Sequence, residues 1–324
     1  MNKKFKIVSL FCGCGGMDLG FEEVGFSIIW ANDNNKKIEK TFTRNFQKTT
    51  LEIKPIQEID INSIPGPDVI IGGPPCQSWS LAGAMRGIND ERGRVFYNYV
   101  NIIKEKKPLA FVAENVKGIL SKSHKNEFLK IIGMFLEEGY LVKYKLLNAK
   151  NFGVPQDRER VFIVGIRSDL NVGYEFPKET HSNGKYVTLK DAIWDLKRNP
   201  GEYLKGSFSP IYMSRNRKRR WDEVSFTIQA GGRHAPLYPD SPDMLKVGID
   251  KRVFDPKSKN NIRRLSVREC ARIQTFPDSF KFIEKYINEK YKMIGNAVPV
   301  LLAKAVAKQL MESLNGRVSR DTLF

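Results

Sequence analysis

The sequence predicts an α/β protein. Its first part folds around a mostly parallel, doubly wound sheet, and its later part is a smaller, irregular domain. Three observations predict this. Short apolar runs alternate with amphipathic stretches through the first half, a glycine-rich turn follows the first of those runs, and apolar periodicity lapses after Pro177. Strands joined through helices run parallel, with helices covering both faces of the sheet. Such sheets bind ligands at the carboxyl ends of their strands.

Residues 7–11, 28–31, 69–71, 109–113, 142–147 and 161–166 are short and apolar and read as buried strands. Between them, residues 127–136 set Phe128, Ile131, Ile132 and Phe135 at helical spacing. Residues 178–262 are rich in Lys, Arg, Asn, Ser, Gly and Pro, with weak periodicity. A helical stripe returns at Leu301, Leu302, Ala305, Val306 and Leu310, and the polar tail from Asn315 is expected to fray. No internal repeat or low-complexity segment interrupts this order.

The 324 residues suffice for one large domain or a large and a small one, and 41% hydrophobic with 28% charged residues argues against disorder. Lys and Arg total 54 against 36 Asp and Glu, a formal charge of +18. That surplus favours polyanionic partners, although a solvated basic surface produces the same number, and charge alone leaves both open. Residues 1–12 hold no secretory core of sufficient length, and no apolar run reaches the ~20 residues needed to span a bilayer. The four cysteines, Cys12, Cys14, Cys76 and Cys270, are too few and too unevenly placed for a disulfide framework. A reducing, cytoplasmic setting without membrane association is expected.

The first strand runs into Phe11, Cys12, Gly13, Cys14, Gly15 and Gly16, where glycines let backbone approach a ligand closely. Asp33 follows the second strand, about 20 residues past the first glycine, where such folds set a carboxylate against ribose hydroxyls. A nucleotide-containing cofactor is expected, but not a nicotinamide dinucleotide, because Asp18 breaks the glycine fingerprint. Cys12 and Cys14 lack the partners of a zinc site and are expected to be small packed residues. No metal is expected.

The third strand ends in Gly72, Gly73, Pro74, Pro75 and Cys76. A stiff turn there would hold a thiol at the sheet edge, where a lowered pKa makes a nucleophile; the alternative is a buried structural cysteine. The next strand delivers Glu114, suited to general-acid work or simply a solvated strand-end charge. Gln156, Asp157, Arg158, Glu159 and Arg160 precede another strand, as a solvated turn or as guanidinium donors to the same rim.

Together these segments resemble the cytosine-C5 DNA methyltransferases of bacterial restriction–modification systems. The likeness covers nearly the whole chain, in six segments in the family's order. They are residues 11–16, 73–78, 114–116, 156–160, 263–277 (Arg263 through Pro277) and 291–299, the last holding Gly295, Asn296, Ala297 and Pro299. The resemblance implies a Rossmann-like methyltransferase domain at 1–177 plus 286–324 and a target-recognition domain at 178–285. It implies S-adenosylmethionine as cofactor, leaving as S-adenosylhomocysteine. The residues implied to hold it are Phe11, Cys12, Gly13, Gly15, Gly16, Asp33, Asn34, Pro74, Val95, Asn296 and Ala297. It also implies base flipping. Cys76 would add to C6 of the cytosine, Glu114 would hydrogen-bond N3, Arg160 would hold O2 and Arg158 would support the site.

Two departures stand out. Asp33 occupies a place where the family usually has Glu. The place of the family's adenine-binding Asp falls on Pro55, with Asp60 reached only through a gap, so the adenine contact stays open.

DNA contacts are implied for Gln77, Ser78 and Ser80, and in the recognition region for Arg215, Arg217 and Arg233, with Ile211 filling the space left by the flipped base. Residues 214–217, Trp221 and 226–230 resemble the recognition domain of members that methylate within GGCC. A short GC-rich palindrome is expected, with GGCC the leading candidate and GCGC an alternative. Each arginine there could equally contact phosphate. The expected partner is double-stranded DNA, met by a monomer near the nucleoid, in functional pairing with a restriction endonuclease but no stable complex. An RNA cytosine methyltransferase of the same fold, and a DNA-binding protein that kept the fold without its chemistry, are the competing readings. The long basic insert between the fourth and fifth segments favours duplex DNA over RNA. Intact Cys76, Glu114 and Arg160 argue against lost catalysis.

Overall fold

The computed structural model describes residues 4–75, 91–182 and 184–321. They divide into two compact units, Met1–Asn148 with Glu159–Lys178 and Ala303–Phe324, and Ala149–Arg158 with Glu179–Leu302. The chain passes between the units at Asn148, Arg158, Lys178 and Leu302.

In the first unit the order is β1 (Lys6–Leu10), α1 (Gly16–Glu22), β2 (Ser27–Asp33), α2 (Glu39–Asn45), β3 (Thr50–Ile53), β4 (Val69–Gly72), α3 (Glu91–Lys106), β5 (Ala110–Val116), α4 (Lys125–Glu137), β6 (Tyr140–Asn148) and β7 (Glu159–Arg167). The strands form one seven-stranded sheet in the order β3-β2-β1-β4-β5-β7-β6. The first five run parallel, and β7 is antiparallel to both neighbours. The sheet is therefore mostly parallel and doubly wound, as the sequence predicts. The chain's direction of travel across the sheet reverses between β1 and β4, which puts the topological switch point at their carboxyl ends.

The core follows from the strand sequences. Val8, Leu10, Ile70, Phe111, Ala113 and Ile163 face Tyr99 and Ile103 of α3 and Phe128 and Phe135 of α4. β3 escaped the sequence reading because it is an edge strand carrying no fully buried side chain.

The second unit holds α5 (Leu189–Ile193), α6 (Pro210–Met213), β8 (Met244–Gly248), β9 (Lys251–Phe254), α7 (Val267–Ile273) and α8 (Ile287–Asn296), joined by long irregular segments. α7 starts in a capping box, with Ser266 and Glu269 satisfying each other's backbone N–H. Isolated bridges pair Lys218 with Leu237 and Leu237 with Arg264, so three distant segments lie side by side.

The last helix, α9 (Val300–Asp321), carries its buried stripe on Leu302, Val306, Leu310 and Leu314. Leu301, expected in that stripe, is 36% exposed because it falls one residue off the 3.6 period. The tail expected to fray from Asn315 continues the helix to Asp321. No described helix is long and apolar enough to cross a membrane.

Candidate active site

The predicted cofactor residues of the first unit gather at the carboxyl ends of β1, β2 and β4. Past Leu10 the backbone turns left-handed at Phe11 (φ 56°), Gly13 (φ 55°) and Gly15 (φ 91°). A left-handed Phe is uncommon and must be held by its surroundings. Here the Cys12 N–H donates to the Asn32 carbonyl at 3.0 Å, and the Gly13 N–H donates to Asp33 Oδ2 at 2.8 Å. Gly15 is required twice over, since a Cβ there would also lie 2.2 Å from the Phe46 ring. Gly16 then opens α1.

Asp33 is partly buried, and its other oxygen accepts from the Asn35 N–H at 2.8 Å. Burial raises its pKa, and the backbone bonds from Asn35, Gly13 and Asn34 oppose that rise. Asn34 beside it is exposed, Pro74 is buried, and Val95 packs against the sheet core. Cys12 and Cys14 are buried, as expected for packed residues, and burial followed by the Asp18 carboxylate pushes both thiols up.

These residues fit a nucleotide-bearing cofactor. Among the described residues no atom lies within 4 Å of where a Gly13 side chain would stand. The Asp33 carboxylate keeps acceptor capacity beyond its backbone bonds. On the adenine side, Pro55 has no N–H, and its carbonyl accepts from the Glu58 N–H at 2.9 Å. Asp60 already accepts from the Asn62 N–H at 3.0 Å. Asn296 is exposed and Ala297 partly buried, both in the second unit.

Of the residues predicted to be catalytic, Glu114 lies towards the carboxyl end of β5 and Arg160 at the start of β7. Glu114 and Arg160 sit on the same face of adjacent strands, two residues apart in register. Arg160 Nε reaches Glu114 Oε1 at 2.8 Å, with both side chains largely buried at 14% and 12% exposure. The other Glu114 oxygen lies 3.3 Å from where a Gly73 Cβ would be, so the glycine makes room for the carboxylate. Asn115 Nδ2 donates to the Pro74 carbonyl at 2.9 Å and fixes the turn before Cys76. Cys76 itself, with Gln77, Ser78 and Ser80, lies outside the described residues.

Arg158 has a different place. It is 1% exposed and donates to the carbonyls of Ile228 at 3.0 Å, Gly295 at 2.8 Å and Ala297 at 3.0 Å. It is a positioning residue of the second unit, fastening the end of α8 to residue 228. A neighbouring chain does the same work: Gln156 accepts from the Ile228 N–H at 2.8 Å and donates to Gln274, which donates to the Ile294 carbonyl at 2.6 Å. The resemblance gives Arg158 a supporting role apart from that of Arg160, but which carbonyls Arg158 meets depends on tertiary packing that the sequence pattern does not show.

Among the predicted DNA contacts, Ile211 stands out from α6 at 70% exposure, Arg215 and Arg233 are exposed, and Arg217 is partly buried. The sequence marks Asp18 only as the break in a glycine fingerprint, not as a buried carboxyl. It is 1% exposed, and among the described residues no donor meets either oxygen with hydrogen-bond geometry. Only the burial of its helix face signals it, and that is not readable from the sequence.

Residues 5–312 match the family described as C-5 cytosine-specific DNA methylase. A Type II methyltransferase, M.MthTI of Methanothermobacter thermautotrophicus, is 54% identical across 96% of this chain and 98% of its own. M.FnuDI of Fusobacterium nucleatum, also a Type II methyltransferase, is 51% identical across 98% of this chain and 99% of its own. The fold is shared with the Entamoeba histolytica methyltransferase EhMeth, with a TM-score of 0.72 at 18% identity over 97% of this chain and 99% of that one. The chain belongs to the C-5 cytosine-specific DNA methylase family.

Proposed function

We propose that this chain methylates C5 of a cytosine flipped out of a short GC-rich palindromic duplex site, through a covalent bond between Cys76 and C6 of the base. The observation that carries the reading is the largely buried Glu114–Arg160 pair, 2.8 Å apart at the strand ends beside the turn that leads to Cys76. A carboxyl and a guanidinium held together there suit a ring whose N3 and O2 gain charge when C6 is attacked.

In this mechanism the Cys76 thiolate bonds to C6 and the C5=C6 π bond opens. Glu114 hydrogen-bonds N3 and favours its protonation, and Arg160 holds O2. When bound, S-adenosylmethionine supplies the electrophilic methyl group that C5 takes up. A base, with water as one candidate, removes the C5 proton, the C5=C6 bond re-forms and the Cys76 thiolate leaves. Phe11, Gly13, Gly15 and Asp33 would hold the cofactor, with Asn34, Pro74 and Val95 around it. Arg158 keeps residues 228, 295 and 297 in place.

The methyltransferase part comprises 1–177 with 286–324, and 178–285 reads the target through Arg215, Arg217 and Arg233. GGCC is the leading site. The relatives' names as Type II methyltransferases support a place in a restriction–modification pair; the reading adds that the enzyme acts as a monomer and protects cytoplasmic host DNA from an endonuclease without forming a stable complex with it. Bisulfite sequencing of DNA from cells expressing the protein, beside Cys76→Ala, tests this. Methylcytosine in one short motif, absent from the control, is expected. Soluble protein with no methylcytosine in DNA sinks the reading in favour of an RNA substrate.

A further inference from the structure

We propose that Tyr212 is a positioning residue for sequence reading, holding both arginine-bearing loops of the second unit from one buried side chain. This rests on the reading of Arg217 and Arg233 as base contacts. Tyr212 is fully buried at the end of α6, whose first turn is capped by Ser209. The Arg217 guanidinium lies over its ring at 5.2 Å, and Arg217 Nε approaches the Tyr212 carbonyl at a long 3.5 Å. The Tyr212 hydroxyl donates to the Ala235 carbonyl at 3.0 Å, two residues beyond Arg233.

The backbone around Arg217 is fixed as well. Its N–H meets Met244 Sδ at 3.2 Å, and its carbonyl accepts from the Leu237 N–H at 2.9 Å. The buried Arg264 guanidinium also lies 5.2 Å from the Tyr212 ring, and 4.0 Å over that of Phe208. Arg264 donates to the Ser207 carbonyl at 2.8 Å, which ties down the entry to α6. The tyrosine ring thus meets two guanidinium groups, Arg217 and the anchored Arg264.

A guanidinium stacked on a ring keeps its in-plane N–H edge available, and it is that edge which matches guanine O6 and N7. An unsupported arginine would meet phosphate as readily, which gives affinity without sequence. Tyr212 therefore converts two flexible cations into parts with a fixed spacing, one through its ring and one through its hydroxyl.

The test is the ratio of kcat/KM on the duplex motif found by bisulfite sequencing to kcat/KM on duplexes with one base pair changed. It is measured for wild type, Tyr212→Phe, Tyr212→Leu and Arg217→Ala, with Tm for each. Tyr212→Phe keeps the ring and loses one hydrogen bond, so the ratio should fall about fivefold. Tyr212→Leu removes the stack as well and should approach the loss in Arg217→Ala, about thirtyfold. A Tyr212→Phe protein with lowered Tm and an unchanged ratio, while Arg217→Ala collapses the ratio, overturns the positioning role and leaves the base reading intact. An unchanged ratio in Arg217→Ala and Arg233→Ala overturns the base reading beneath it. Should Tyr212→Leu fail to fold, Tyr212→Phe decides alone.

Discussion

Glu114 and Asp18 are two largely buried carboxyls of the first unit with opposite surroundings. Glu114 meets a guanidinium at 2.8 Å; Asp18 meets no donor with hydrogen-bond geometry among the described residues. For Glu114→Gln, a neutral isostere keeps the packing but weakens the interaction at N3 as charge develops. Its turnover should fall by about 10²-fold or more while duplex binding persists. Single-turnover methylation beside a binding titration checks this, and equal loss of both would make Glu114 a fold residue. Asp18 bears on stability instead. Burial raises its pKa to about 7, against a smaller lowering by the nearby Ser9 hydroxyl and its own backbone, and with Glu22 and Asp33 adding to the rise. A raised carboxyl is protonated in the fold while the unfolded chain ionises, so stability is lost as pH rises from about 4 to about 7, and the loss is constant above. A tenfold difference in acidity between the two states corresponds to about 1.4 kcal/mol. Asp18→Asn cannot ionise, so its stability relative to wild type should rise by a few kcal/mol between pH 5 and pH 8. Urea unfolding of both proteins across that range measures the difference, and parallel curves would refute it.

At the scale of elements, the second unit is held less by regular structure than by capped and ion-paired ends, and α7 shows how. Glu269 is fully buried. It accepts from the Ser266 N–H at 2.7 Å and takes both arms of Arg263 at 2.7 and 2.8 Å, while Arg263 lies 3.5 Å over the Tyr238 ring. Ser266→Ala removes one cap and should cost about 1 kcal/mol. Glu269→Ala strands a largely buried guanidinium and should cost about 3–5 kcal/mol. Equal losses in denaturant unfolding would refute this order. The same element explains what could be read in advance. Residues 263–277 stood out by resemblance, but that Glu269 ties Arg263 to the cap depends on which side of a short helix faces inward. β1, β2, β4, β5 and β7 were legible because a sheet covered on both faces demands continuous apolar runs; residues 142–147 do form a strand, β6, but at the sheet edge it is largely exposed and not buried as expected. β3 and the pair β8–β9 were not. Their strands mix charged with apolar residues, and Leu245, Val247 and Val253 are exposed, so neither alternation nor burial marks them. Glu114 and Arg160 were legible as types. Their pairing was not, because it arises from a strand register that links residues 46 positions apart in the chain.

For the whole molecule, the formal charge of +18 is an average over cations in different situations. In the second unit Lys218, Arg220, Arg263 and Arg272 are already committed to Asp243, Asp222, Glu269 and Asp278 at 2.6–3.2 Å. Such pairs hold loops and contribute little net field. Arg215 and Arg233 are exposed and form no ion pair among the described residues, so they remain available to a polyanion. If the surplus tracks a duplex, binding of non-target DNA releases counterions, and the logarithm of affinity falls linearly with the logarithm of salt. Six phosphate contacts give a slope of about −5 and a loss of about 10³-fold between 50 and 200 mM salt. Fluorescence anisotropy with a duplex lacking the target motif measures that slope. Arg215→Gln should make it shallower by about 1 if this side chain rests on phosphate, whereas a base-reading Arg215 should leave it nearly unchanged and weaken target binding alone. A slope near −1 in the parent protein would mean that the basic surplus is solvated surface, and that affinity for the target comes almost wholly from contacts with the bases and the flipped cytosine.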